Sequence, residues 1–509
     1  MKFDRSAGIL LHPTSLPGRY GIGDLGDQAY RFIDFLKASD IGLWQVLPLG
    51  PTGYGDSPYQ CFSAFAGNPL MVSPDKLVTQ GLLTAEDVRQ VPAFNPLQID
   101  FGWVIGYKTD LLRKAYQTFS TTEVLKDKNY RKEYTKFCKA NAAWLDDYAL
   151  FMAVKNHHGG VHWKEWAADI RHRVPKAVKD YTKKLAGEIE YQKFIQFNFF
   201  YQWNDVKAYA NGQGIKVVGD LPIFIAYDSA DCWANRHYFT VDEDGHLETC
   251  AGVPPDYFSP TGQLWGNPLY RWDAMEADDF QWWRDRFAKL FEIVDIVRID
   301  HFRGFEAFWE IKGNAKTAEK GKWVKAPGKK LFSSVQKHMG NLPIIAEDLG
   351  VITPEVEALR DKFEFPGMKI MQFAFGTDME TKFLPHNFIP NCVVYTGSHD
   401  NDTTRAYFDV AKREAGKNDI YEFTQKYLNY YGEDLVGELI RVGYASVADT
   451  VVFPMQDLLN LGTEARMNFP GKLGGNWSWR FSWEQVPYGI ADRYKALGKL
   501  YDRPRKVKK

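Results

Sequence analysis

Short apolar runs alternate with stretches of helical periodicity along most of the chain. Eight of the runs read as strands: Gly8 to His12, Leu43 to Leu47, Ile215 to Leu221, Asp295 to Asp300, Leu342 to Glu347, Met368 to Phe373, Cys392 to Thr396 and Thr450 to Pro454. Several are near-continuous in Val, Ile and Leu, as expected of a parallel strand covered on both faces. After the first run, Tyr30, Ile33, Phe35 and Leu36 give residues 27–39 one apolar side, which predicts a helix. Eight strands mostly separated by helices predict an α/β chain folded as a closed (β/α)8 TIM barrel.

The spacing is uneven. About 165 residues separate the second and third strands, far more than a simple crossover needs. Within that stretch Trp144, Leu145, Tyr148, Phe151 and Met152 recur at helical intervals, as do Ile195, Phe199, Trp203, Val206 and Ala210. The pattern predicts a large helical insertion after strand 2, a mainly helical subdomain over 60–205 set at the barrel mouth. A second insertion after strand 3, about 229–273, reads as loop rich in Gly, Pro and aromatics. The barrel then comprises 1–59 and 206–509. No fixed-period repeat or low-complexity segment is present.

Three strand-like runs stop on or just before an acid: Asp300 after Ile296–Ile299, Glu347 after Pro343–Ala346, and Asp400 beyond Val393–Tyr395. Parallel strands in one barrel deliver their ends to a single mouth. A carboxylate cluster there is the equipment for cleaving or exchanging glycosidic bonds, and a retaining reaction needs two carboxyl groups roughly 5 Å apart. Arg298 lies two residues before Asp300 and shares its side of the strand. A guanidinium there favours the ionised aspartate, while burial and that charge favour protonated Glu347. Asp348 faces the opposite way. Asp400 with His399 is placed to grip sugar hydroxyls, and Asp220 beside Pro222 is a weaker candidate for the same work.

Composition narrows the partners. The net charge is −1, which argues against nucleic acid, and the basic end from Arg503 to Lys509 reads as a short solvated tail. The chain holds 16 Trp and 27 Tyr, side chains that offer sugars a flat apolar face and a polar tip. Five scattered cysteines without ligand spacing read as reduced thiols. His157, His158 and His162 lack the partners of a zinc site. No apolar signal core follows Met1, and no run reaches membrane-spanning length. The sequence leaves monomer and dimer both open.

Longer motifs carry a resemblance. They are Leu11 to Gly18 (LHPTSLPG), Tyr54 to Tyr59 (YGDSPY), Gly219 to Phe224 (GDLPIF), Gly252 to Ser259 (GVPPDYFS), Trp265 to Pro268 (WGNP), Arg298 to Gly304 (RIDHFRG), Ala346 to Gly350 (AEDLG) and Gly397 to Asp402 (GSHDND). In this order the chain resembles, nearly end to end, the 4-α-glucanotransferases of glycoside hydrolase family 77, also called amylomaltases or disproportionating enzymes. It is similar to the shorter family form, which starts directly at the first barrel strand.

The resemblance implies transfer of α-1,4-glucan segments to the 4-hydroxyl of an acceptor glucan or glucose. Where the chain's own end accepts, a cyclic glucan forms. It implies Asp300 as nucleophile of a covalent glucosyl enzyme, Glu347 as acid/base and Asp400 as stabiliser of the distorted sugar. Arg298, His399 and Asp220 would line the donor glucose site, with Tyr59 stacked on the sugar. Ser57, Trp265, Asn267 and His301, within the shared motifs, would add substrate contacts. It implies no metal, nucleotide or other cofactor, α-1,4-glucans and maltooligosaccharides as partners, and a cytoplasmic enzyme, or a stromal one in a plant.

The same carboxylates would serve an α-amylase, so the transferase must disfavour water by closure and by holding the acceptor. The loop Gly252 to Ser259, stiffened by Pro254 and Pro255, carries Tyr257 and Phe258 for that purpose. Tyr54, in a Gly-flanked loop, is expected in a second glucan-contact surface. The rivals are an amylase-type hydrolase and a glucan-binding protein with a dead barrel; the latter predicts substitution of Asp300 or Glu347, and both acids are present.

Overall fold

The computed structural model describes residues 3–122, 129–255, 259–376, 381–414, 419–472 and 474–506. Eight parallel strands close a barrel: β1 (Ser6–Leu10), β2 (Leu43–Gln45), β3 (Lys216–Pro222), β4 (Ile296–Asp300), β5 (Ile344–Ala346), β6 (Gly367–Ile370), β7 (Cys392–Tyr395) and β8 (Thr450–Pro454). Each pairs with its sequence neighbours, and β1 closes on β8 with Ser6 opposite Thr450 and Leu10 opposite Pro454. The apolar runs predict these strands to within a few residues. Their C-terminal parts are cut short, because the chain turns away where the mouth begins. Thus Met371–Phe373 is a short 3-10 helix rather than the end of β6.

Helix Asp27–Ala38 buries Ala29, Phe32, Ile33 and Leu36. Tyr30 and Phe35, expected on that face, lie at its edge and are only partly buried.

Helices fill most of the chain between β2 and β3, among them Phe101–Thr121, Ala142–His157 and Ala186–Gly212. The last of these brings Phe199, Trp203 and Val206 into the barrel's surrounding core, and it runs unbroken into the turn that starts β3. Its Gln196 donates to Gly67 O and accepts from Gly67 N, both at 2.8 Å. One turn and a half later, Gln202 accepts from Ser73 N at 2.7 Å and donates to Ser73 O at 3.3 Å. These two buried amides satisfy loop backbone that no ladder reaches.

The second insertion holds more structure than its loop-like sequence predicts. It folds the short helix Ala230–Ala234 and two strands, Thr249–Val253 and Gln263–Pro268. These join Ala307–Lys312 and Gly321–Lys325, which follow β4, in a four-stranded antiparallel sheet. Each excursion folds one antiparallel pair, and the sheet forms where the two pairs meet, Thr249–Gly252 against Trp309–Lys312, a long-range join that no local pattern announces.

All five cysteines are free thiols. Among the described residues no helix is long and apolar enough to cross a membrane.

Candidate active site

Asp300 is the last residue of β4, and Glu347 follows β5 by one residue. The two strands pair with Ile299 opposite Ala346, so both acids leave the same edge of the barrel side by side. The main chain then binds them together. His301 N donates to Glu347 Oε2 at 2.7 Å, Phe302 N donates to Glu347 O at 3.1 Å, and Glu347 N donates to Ile299 O at 3.0 Å. His301 adopts a left-handed φ of 50°, which turns its N–H toward Glu347.

Glu347 also accepts from Leu349 N at 2.8 Å. These two amide donors favour the carboxylate, yet burial and the neighbouring Asp300 charge outweigh them and push the Glu347 pKa up to about 8. Glu347 is therefore protonated at neutral pH.

Beneath these acids lies a buried ion network. Arg298 donates through Nη1 to both carboxylate oxygens of Asp220, at 2.8 and 2.6 Å, and through Nη2 to Asp300 Oδ1 at 3.0 Å. Tyr59 donates its hydroxyl to Asp220 Oδ2 at 2.8 Å. Burial, then the Asp220 charge, pushes the Tyr59 phenol far above its ordinary range, so it remains a donor. Burial likewise draws Asp220 upward against the pull of Arg298. Asp220 and Arg298 are almost fully enclosed and reach the open cleft only through Tyr59 and Asp300.

The cleft itself has a volume of about 270 Å3 and is lined by Ser57, Tyr59, Gln60, Gln263, Trp265, Asn267, Asp300, His399, Asp400 and Trp477, among others. The Tyr59 ring stacks on His399 at 5.1 Å, and Trp477 closes the aromatic wall at 5.7 Å from Tyr59. Asp400 lies in the loop beyond β7, five residues past the strand end, half-exposed, and accepts from Asn468 Nδ2 at 2.6 Å. Asn267 accepts from Gln60 Nε2 at 3.2 Å, and the Trp265 ring meets His301 edge-on at 4.8 Å.

The profile of the 4-alpha-glucanotransferase family of glycoside hydrolases, family 77, matches residues 11–485. The chain belongs to this family.

Its similarity to other 4-alpha-glucanotransferases is spread over the whole length. That of Synechocystis is 50% identical over 98% of both chains, and that of Thermus thermophilus is 47% identical over 99% of this chain and all of the relative. Among solved structures, the amylomaltase from Streptococcus agalactiae in complex with acarbose superimposes with a TM-score of 0.93 at 37% identity, covering 98% of this chain and all of that one.

Of the residues the sequence singles out, Ser57, Tyr59, Trp265, Asn267, Asp300, His399 and Asp400 share this glucanotransferase cleft, and Asp220, Arg298, Glu347 and His301 adjoin it by the bonds above. Asp348 is buried on the far side, where it pairs with Arg360 and accepts from Met368 N at 2.7 Å. Tyr54 stands apart from the cleft lining, 66% exposed, with Lys155 Nζ 5.7 Å from its ring. Tyr257 and Phe258 lie outside the described residues.

Sequence reasoning missed Trp477 and Asn468. Both follow the last barrel strand, where no period marks a site. The dense run of aromatics from Trp477 to Trp483 was the available signal.

Proposed function

We propose that this glucanotransferase works by double displacement on a donor glucan held in the cleft between Tyr59 and Trp265. Asp300, held by the Arg298 guanidinium, attacks the anomeric carbon and forms a covalent glucosyl enzyme. Glu347 gives its proton to the departing glycosidic oxygen and later takes the proton of the acceptor's 4-hydroxyl. Asp400 and His399 hold ring hydroxyls, with contacts that strengthen as the sugar flattens. Tyr59 packs against the same sugar. Ser57, Asn267 and Trp265 line the approach, and Tyr54 belongs to a separate glucan-contact surface. Residues 60–205 act as a helical subdomain walling the mouth.

The observation that carries the reading is the pairing of a protonated Glu347 with an arginine-held Asp300 across one strand junction. The acarbose complex of the Streptococcus agalactiae relative supports a sugar ligand in such a cleft. The substrates in this reading are α-1,4-glucans and maltooligosaccharides. The workplace is the cytoplasm, or the plastid stroma if the host is a plant, as the Solanum tuberosum relative, called chloroplastic/amyloplastic, supports.

Incubation with maltotriose tests the reaction. Glucose and longer maltodextrins should form while the count of reducing ends stays constant. A steady rise in reducing ends would identify a hydrolase instead.

A further inference from the structure

The turn that follows Glu347 is fixed at its near end, where Leu349 N donates to Glu347 Oε1 and the buried Asp348 pairs with Arg360 and accepts from Met368 N. Gly350 takes a left-handed φ of 81°, and the Val351 side chain is 59% exposed. Its far end is held by one donor. Arg303, three residues after Asp300, gives an Nη1 hydrogen bond to the Val351 carbonyl.

Arg303 is an unusual choice for a tether. It is 5% exposed, forms no salt bridge among the described residues, and its Nε is buried without a partner. Burial pulls its guanidinium below the ordinary value. A buried cation whose neighbouring carboxylate, Glu306, is already paired with Lys325 is costly, so its surroundings must compensate. The compensation is Trp323, whose ring centroid lies 3.7 Å from the guanidinium carbon. Trp323 sits on the edge strand Gly321–Lys325 of the small sheet. That strand is fixed to the same turn of chain: Ala326 N donates to Glu306 O at 2.9 Å, and Lys325 pairs with the Glu306 carboxylate. The cross-strand neighbour Trp309 braces the ring at 5.3 Å.

We propose that Arg303, roofed by Trp323, is a positioning residue for transfer: it clamps the Glu347–Val351 turn and keeps the Glu347 carboxyl aimed at the glycosidic oxygen. The inference rests on Glu347 being the acid/base. The ionisable groups that face Glu347 are Asp300 and Arg298, with the His301 and Leu349 amides as its donors. Removing Arg303 leaves all of these in place, so any change it produces acts through the position of the turn.

The test compares two donors. Maltotriose needs a proton on its leaving group, whereas α-maltosyl fluoride releases fluoride without one. In R303M, kcat on maltotriose should fall about 10- to 100-fold with KM little changed, because a misplaced acid loses most of its effect. First-turnover fluoride release should stay within about threefold of the unaltered enzyme. The basic limb of the pH–rate profile should move below its normal position, since a loosened turn admits water to Glu347. R303K should recover part of the loss, and W323A should repeat the pattern more weakly. Should R303M not fold, W323A at the sheet edge carries the same comparison.

Equal losses on both donors, or no loss on either, would overturn the clamp. E347A separates the two levels of the argument. If it fails on fluoride as well as maltotriose, the acid/base reading of Glu347 falls. If it is rescued by fluoride and R303M is not, the clamp alone falls.

Discussion

Glu347 meets opposing demands at a single carboxyl: two backbone amides favour its charge, while burial and Asp300 oppose it. With its pKa near 8, the protonated form dominates at neutral pH, and kcat/KM should decline as pH rises through about 8. A pH–rate profile on maltotriose checks this. The same shift has a stability sign. A carboxyl whose folded pKa exceeds its unfolded value gives its full contribution below the ordinary value of 4.5 and loses it as pH rises through about 8. Denaturant titrations should therefore show the natural protein losing stability relative to E347Q between those limits, with no further divergence above them. For catalysis, E347Q and D300N should each lower transfer by about 100- to 10000-fold while circular dichroism stays unchanged. Near-normal turnover in either would remove the role assigned to that residue.

At the scale of elements, helix Ala186–Gly212 carries two amide pins that hold the loop 67–73. Gln196→Ala leaves the Gly67 N–H and C=O buried without partners, which should cost about 2 kcal/mol or more. Thermal unfolding followed by calorimetry should show the loss, with kcat at 25 °C preserved. The helix itself was plain in the sequence through Ile195, Phe199, Trp203, Val206 and Ala210, since a buried face at 3.6-residue spacing is a local signal. The barrel strands were equally plain, because both faces are covered and their residues are apolar throughout. The small antiparallel sheet was not. Its pairing of Thr249 with Lys312 joins segments over sixty residues apart, and Gly252, Pro254 and Pro255 read as loop. The site divides in the same way. Asp300 and Glu347 were visible because strand ends are predictable, whereas Trp477 reaches the cleft through a connection that has no period.

Across the whole molecule, closure of the barrel depends on a side chain near the end of the sequence. Arg503 is fully buried and donates to the carbonyls of Ser6, Tyr444, Ser446, Ala448 and Asp449, so it fastens β1 to the approach of β8. The basic run from Arg503 to Lys509 predicts a solvated tail; Arg503 is instead a buried fastener. Arg503→Ala strands several acceptors at once and should lower stability on the order of 3 kcal/mol. A shortened half-life at elevated temperature, with normal kcat before inactivation, is the expected result.

The small sheet constrains how such enzymes can diversify. Two adjacent strands come from the excursion after β3 and two from the excursion after β4, and the halves join through Thr249 to Gly252 against Trp309 to Lys312. Neither excursion can be lengthened, trimmed or exchanged for a cousin's version alone, because the other would be left with unmatched main-chain groups. Chimaeras meant to alter acceptor choice must carry the two segments as one cassette.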